Sequence, residues 1–353
     1  MKKEDRACHS HRSAGDVTEI GMKKLLLLGL RSCFMSIGRP WKNSWMSYYQ
    51  SHDKSRLTEF KPNSEYFVGV DSEGCVFDNM GIKQEECFCP LMIGSFGLQP
   101  VARAARQCKI FADLYSKTRG SNRHITIARI LEELLPSHPM VKERAFRVPD
   151  FSHYCAWVND PSSLLSNRGL REAASTATSD EAKGQLEQAL AWSLRVDDMV
   201  AEIIKNIPPI PGVHECLESL QTRADIMMCS STPMEALKRE WGEHGLDSYI
   251  QLIASQEMGT KAEHLDLATQ GKYEKDHVLM IGDAPGDYKA TQKVGVLFYP
   301  IIPGHEVESW IRLREQAIEK FFSQTYAGPY QYSLINEFDA CLPNDPTWSL
   351  DSI

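Results

Sequence analysis

Four acids stand where apolar runs stop. In "YFVGVDSEGCVFDNM", Asp71 closes the run "YFVGV" and Glu73 follows two places on; in "HVLMIGDAPGD", Asp283 closes the run and Asp287 comes four places later. A single Asp after a strand is ordinarily a helix cap or a turn residue. Carboxylates gathered at neighbouring strand ends repel one another, however, and call for a positive charge among them. A hard divalent cation, Mg²⁺, suits an all-oxygen site of this kind. Asp71 and Asp283 are its expected direct ligands, with Asp287 either ligating or holding a bound water. The glycines of "GDAPGD" allow that loop to bend both of its acids toward one ion.

Two further residues suit an anion. "CSSTPMEAL" places Ser230 at the end of an apolar run just before a helix, and Thr232, Pro233, Met234 and Glu235 have the form of a capping box with proline at the first helical position. Free amides at the positive end of that helix, with the Ser230 hydroxyl beside them, make a phosphate site. Lys261, in "GTKAEH", opens a helix after another apolar run. Alone it would read as a solvated surface lysine, but at a strand end it offsets both a phosphate and the acids. Lys83, Arg103 and Arg123 are expected to be ordinary surface charges.

The elements that must position these residues can be read from the apolar pattern. "YFVGV", "ADIMMCS", "YIQLIAS", "HVLMIGD" and "VLFYPII" are short, nearly continuous apolar runs separated by helical patterns. That alternation predicts a parallel α/β sheet covered on both faces, and ligands in such sheets bind beyond the carboxyl ends of the strands. Between the first two runs, "VARAARQCKIFADLYSK", "HITIARILEELL" and "DEAKGQLEQALAWSLRVDDMVAEIIKNI" repeat apolar residues at helical spacing without a strand. They predict an inserted α-helical domain. The expected divisions are an N-terminal extension over 1–62, an α/β core over 63–80 and 208–303, the helical insertion over 81–207 and a C-terminal extension over 304–353. Segment 79–97 and the proline-rich "IPPIPGV" are expected to form the two crossings of a hinge, and the C-terminal extension to open with a helix and end irregularly.

Composition narrows the partners. A net charge of −8 over 353 residues offers no broad attraction to nucleic acid or anionic membrane, and no apolar run approaches the length of a bilayer span. Ten cysteines without paired CxxC modules suggest reduced thiols in a cytoplasmic protein. "MKKLLLLGLRSCF" is too short in its apolar part, and too far inside the chain, for a signal peptide. Cys8, His9 and His11 are not expected to hold a metal. A small polar or phosphorylated partner fits best.

Asp71 in "VGVDSEGCVFD", Ser230 in "IMMCSSTP", Lys261 in "GTKAEH" and Asp283 with Asp287 in "MIGDAPGD" resemble, in order and type, the four motifs of the haloacid dehalogenase superfamily on its phosphatase side. "PPIPGVHECLESL" also resembles the segment leading back from that family's cap domain. The resemblance implies a Rossmann-like parallel sheet with an inserted helical cap, and Mg²⁺-dependent hydrolysis of a small phosphorylated metabolite through an aspartyl phosphate. It makes Asp71 the nucleophile and assigns Ser230 and Lys261 to the phosphoryl group. The metal ligands it implies are Asp71, Asp283 and Asp287 with the backbone carbonyl of Glu73. Glu73 departs from the family's usual Asp, and its implied role is general acid and then base. A sugar phosphomutase using the same intermediate and a non-catalytic binding protein that keeps the metal site are the alternatives.

Overall fold

The computed structural model describes residues 53–348. The Cys8, His9 and His11 group, the leucine run after Met22 and the aromatics from Trp41 to Tyr49 lie outside the described residues. Five parallel strands form one sheet in the order β3-β2-β1-β4-β5. They are β1 (Tyr66–Val70), β2 (Ala224–Cys229), β3 (Leu252–Ala254), β4 (Val278–Gly282) and β5 (Leu297–Pro300). Each falls inside a run read from the sequence. Side chains alternate between faces along a strand, and here both faces are covered. Val68, Val70, Ile226, Met228, Leu279 and Ile281 enter one core, while Phe67, Met227, Cys229, Val278, Met280 and Phe298 enter the other. That double burial is why the runs are apolar throughout.

The strand order sets the place of the site. From β1 the chain builds outward through β2 and β3, then returns to the other side of β1 with β4 and β5. Strand order therefore reverses at β1, and the crevice beside its carboxyl end is where such sheets bind ligands. Val70 pairs with Ile281, and the Asp71 amide donates to the Ile281 carbonyl at 2.9 Å. This parallel register carries the ends of β1 and β4 to the same level.

Helices between β1 and β2 bury a core of their own that includes Phe88, Phe96, Leu135, Tyr154 and Trp192. The three helical patterns appear as Ala102–Leu114, Arg123–Arg129 continued by the wider turn Ile130–Leu134, and Asp180–Ile203. Pro139–Glu143, Ser152–Asn159 and Asn167–Thr176 are additional helices too short to show a periodic pattern. Of segment 79–97, expected as half of a hinge, residues 79–95 are helical. The chain just before that segment meets the proline-rich crossing: Phe77 bridges Pro209, and the Ile210 amide donates to the Val76 carbonyl at 2.8 Å.

Both extensions join the core. Leu57 is buried against the sheet, and Lys272 donates to its carbonyl at 2.7 Å. After the C-terminal helical run of Glu306–Arg312, Leu313–Ala317 and Ile318–Phe322, the segment expected to be irregular forms the helix Pro329–Ala340. Its Phe338 packs on Phe298 of the edge strand β5, and the Phe298 amide donates to Gln331 Oε1 at 3.0 Å. An edge amide is thus satisfied without a further strand. Among the described residues no helix is long and apolar enough to cross a membrane.

Candidate active site

Asp71 and Asp283 leave the sheet at the ends of β1 and β4, and Asp287 comes back to them from the first turn of the helix Pro285–Val294. Gly282 makes that return possible, since a Cβ there would stand 2.5 Å from Asp287 Cγ. One carboxylate oxygen from each acid falls within 4.8 Å of the others, and the residues are 4%, 0% and 0% exposed. Burial pushes the Asp71 carboxyl well above the usual carboxylate range; Lys261 draws it back, while Asp287 and Asp283 push it up further. For Asp283 burial again raises the carboxyl, opposed chiefly by Arg119.

Two side-chain cations already lie in the cluster. Lys261 Nζ is 2.6 Å from Asp71 and 2.5 Å from Asp287. Burial disfavours its charge, but the two carboxylates outweigh burial and hold the ammonium well above its ordinary pKa. Its helix begins where the sequence placed it, after a capping box formed by Thr260 and Glu263. The second cation, Arg119, comes from the helical insertion. Its Nη2 is 2.6 Å from Asp283 Oδ2, its Nε donates to the same oxygen at 2.8 Å and to the Asp283 carbonyl at 3.0 Å, and its Nη1 donates to the Leu114 carbonyl at 2.9 Å. Nothing in "SKTRGSN" distinguishes this arginine from a surface residue of a turn.

Asp71, Asp283 and Asp287 thus share two side-chain cations, Lys261 and Arg119. Asp283 Oδ1 is buried and has no hydrogen-bond partner. A buried carboxylate oxygen is costly to leave unpaired. An all-oxygen donor set with one buried oxygen unpaired fits a hard divalent cation.

Glu73 faces another partner. Its Oε2 is 3.0 Å from Lys83 Nζ and 3.3 Å from Thr232 Oγ1. Burial raises the Glu73 carboxyl, but Lys83 and Thr232 bring it below its ordinary value. Lys83 is therefore not the surface charge read from the sequence: it is 7% exposed and stands beside a candidate acid. Asn79 extends this side of the site, accepting from the Gly74 amide at 3.3 Å and donating to the buried Glu240 at 3.1 Å. Arg103 is exposed, as expected, whereas Arg123 is half-buried and pairs with Asp197.

The second strand end departs from expectation. Ser230 is buried at the end of β2, which pairs with β1, but its Oγ accepts from the Thr232 amide at 3.3 Å instead of meeting the acids. No capping box forms. The helix starts at Met234 after Pro233, its first amide donates to the Glu257 carboxylate at 3.2 Å, and the Thr232 hydroxyl turns to Glu73. A carboxylate of the chain's own thus covers the first amide of the expected phosphate site.

Residues 161–301 match the family model described as haloacid dehalogenase-like hydrolase. That stretch of the chain is therefore similar to the haloacid dehalogenase-like hydrolases. The matched segment includes Ser230, Lys261, Asp283 and Asp287; Asp71 precedes it and is brought to it by the pairing of β1 with β4. The chain is also similar to several solved structures. One is a haloacid dehalogenase-like family hydrolase from Streptococcus pneumoniae, 11% identical, covering 69% of this chain and 90% of that one with a TM-score of 0.35. Another is a HAD-superfamily hydrolase of subfamily IA from Geobacter sulfurreducens, 14% identical, covering 67% and 88% with a TM-score of 0.34. A third, from Haemophilus somnus, is described as a predicted phosphoglycolate phosphatase; it is 11% identical, covering 67% and 84% with a TM-score of 0.35. No curated protein matches the chain.

Proposed function

We propose that this hydrolase is a Mg²⁺-dependent phosphatase of a small phosphorylated metabolite, acting through an aspartyl phosphate on Asp71. The observation that carries the reading is the buried cluster of Asp71, Asp283 and Asp287 around Lys261, with Asp283 Oδ1 unpaired. Asp71, Asp283 and Asp287, with the Glu73 carbonyl, would hold the ion. Bound there, it would supply Lewis-acid polarisation of a phosphoryl oxygen. The chain's own groups do the rest. Asp71 attacks phosphorus in line, the P–O bond to the substrate alcohol breaks, and water then releases phosphate from the acyl phosphate and restores the carboxylate. Lys261, fixed on Asp71, neutralises charge as the phosphoryl group arrives, and Ser230 donates to it once its hydroxyl turns from the Thr232 amide. Glu73 gives a proton to the leaving oxygen and later takes one from water. Lys83 and Thr232 favour its charged form, which suits the second task directly.

A small substrate is the reading favoured by the helical insertion, which places Arg119 on Asp283 beside the buried acids. A panel of phosphorylated metabolites with Mg²⁺ tests the reading. Release of phosphate supports it; isomerised sugar phosphate would instead indicate a mutase, and neither product would indicate a binding protein. Activity should vanish with chelator, and Ca²⁺ should inhibit, since its larger and looser shell misplaces the nucleophile. Full turnover in chelator would remove the metal from the proposal.

The role of Glu73 has its own measurement. An alkoxide needs a proton to leave, whereas p-nitrophenolate does not. Glu73→Ala should therefore slow single-turnover transfer from a sugar phosphate by ~10²- to 10⁴-fold, and transfer from p-nitrophenyl phosphate clearly less. Equal losses would show that Glu73 supports the metal or the fold and is not the acid.

A further inference from the structure

Loop 115–122 of the helical insertion lies directly on the acids. Besides the Arg119 contacts, a Cβ on Gly120 would stand 2.8 Å from Ala284 Cβ, and one on Gly74 would stand 3.0 Å from Arg119 Nη2. With the loop in this place, Asp71, Asp283 and Asp287 are all buried.

The opposite end of the chain holds the same loop. The Lys117 amide donates to the Pro343 carbonyl at 3.3 Å, and its ammonium contacts the Asp339 carbonyl at 3.2 Å as well as the Asp339 carboxylate. Arg129 acts as a junction: Nη1 donates to Ser116 Oγ at 3.2 Å and to Thr118 Oγ1 at 2.9 Å, while Nη2 donates to the Asn344 carbonyl. Trp348 then lies against Phe111 and His138 of the insertion, at ring separations of 6.0 and 4.6 Å. The start of this segment is fixed elsewhere. Phe338 and Leu342 are buried in the core that covers one face of the sheet. One short stretch of chain is therefore anchored in the sheet domain at one end and in the insertion at the other.

We propose that residues 341–348 are a strap that holds loop 115–122 over the carboxylate cluster, so that release of the strap governs access to it. That access matters for turnover rests on the phosphatase reading; the tethering does not. Opening requires two separable events. The strap's hydrogen bonds and its Trp348 contact must break, and Arg119 must leave Asp283. The strap's hydrogen bonds to the insertion are made through the Pro343 and Asn344 carbonyls, so they are indifferent to side-chain identity, whereas Trp348 anchors it on the insertion through its ring.

Amide hydrogen exchange tests this without any substrate. Deleting residues 343–353 removes the strap's contacts with the insertion but keeps Phe338, Leu342 and the contact of Lys117 with Asp339; Trp348→Ala removes only the apolar anchor on the insertion. Loss of two hydrogen bonds and the Trp348 ring contacts should speed exchange in peptides covering 111–129 by about tenfold or more in the deletion, and by less in Trp348→Ala, with β2 and β4 unchanged. Unaltered exchange over 111–129 in both proteins overturns the proposal. So does equal acceleration across the sheet in both, which would make the segment part of the core. Where phosphatase activity is found, both variants should hydrolyse bulkier phosphate esters relatively faster. A protein with no phosphatase activity but with the local exchange change would keep the strap and lose the enzymatic reading.

Discussion

Asp71→Asn should lower turnover by at least about 10⁴-fold, the scale seen when a nucleophile is removed from a site whose other parts remain, while the folded protein persists. The substitution keeps shape and size. It keeps an oxygen that can accept from the Ser72 amide, now 2.7 Å from Asp71 Oδ1, and it leaves Lys261 its second partner in Asp287. It also removes one of three mutually repelling buried acids, so a thermal unfolding midpoint near that of the wild type is expected. Beryllium fluoride, which mimics an aspartyl phosphate, should bind the wild type in the presence of Mg²⁺ and fail to bind the variant. More than a few per cent of wild-type activity in Asp71→Asn would end the covalent mechanism through this residue.

Lys261→Met should show its effect in stability as well as activity. The lysine is the only side-chain cation that contacts Asp71 or Asp287 among the described residues, and its side chain is 14% exposed. Removing one partner from a buried ion pair leaves an uncompensated charge and costs about 3–5 kcal/mol. Without added metal the variant should lose stability on that scale by urea titration. Mg²⁺ should restore more stability to the variant than it adds to the wild type, because an ion that binds only the folded state stabilises by mass action, and the variant has lost a competing positive charge. A loss under about 1 kcal/mol would place Lys261 in the class of solvated surface pairs. A loss that Mg²⁺ does not touch would separate the lysine from the metal site.

These two residues mark what the chain's order of amino acids makes visible. Asp71 and Asp283 were legible because each ends a continuous apolar run, and a strand buried on both faces has one place for a carboxylate, its end. The sheet, the helical insertion and the strand-end acids all rest on such short-range patterns, as does the match with the family motifs. Glu73, Ser230 and Lys261 were located by the same reasoning, but their partners were not. Thr232 reads locally as a helix cap, yet it turns to Glu73 because Glu257, from the loop after β3, takes the helix's first amide.

Charge pairing across long separations was decided by the tertiary structure alone. Lys83 and Arg119 sit in helical and turn segments whose sequence is that of a surface, and only docking of the insertion on the sheet buries them against Glu73 and Asp283. Strand-end spacing points to a metal and Lys261 as the cations for the acids; the fold adds a guanidinium and leaves one buried oxygen unpaired. The C-terminal segment looked irregular because its aromatic residues follow no helical stripe over a long window. It becomes ordered through contacts with two separate parts of the chain, the edge strand at Phe298 and the loop at Lys117. Periodicity reports which residues are buried by their own element. It carries no information about which distant element supplies the counter-charge, and that is why the strand ends could be read from the sequence while the cations that face them could not.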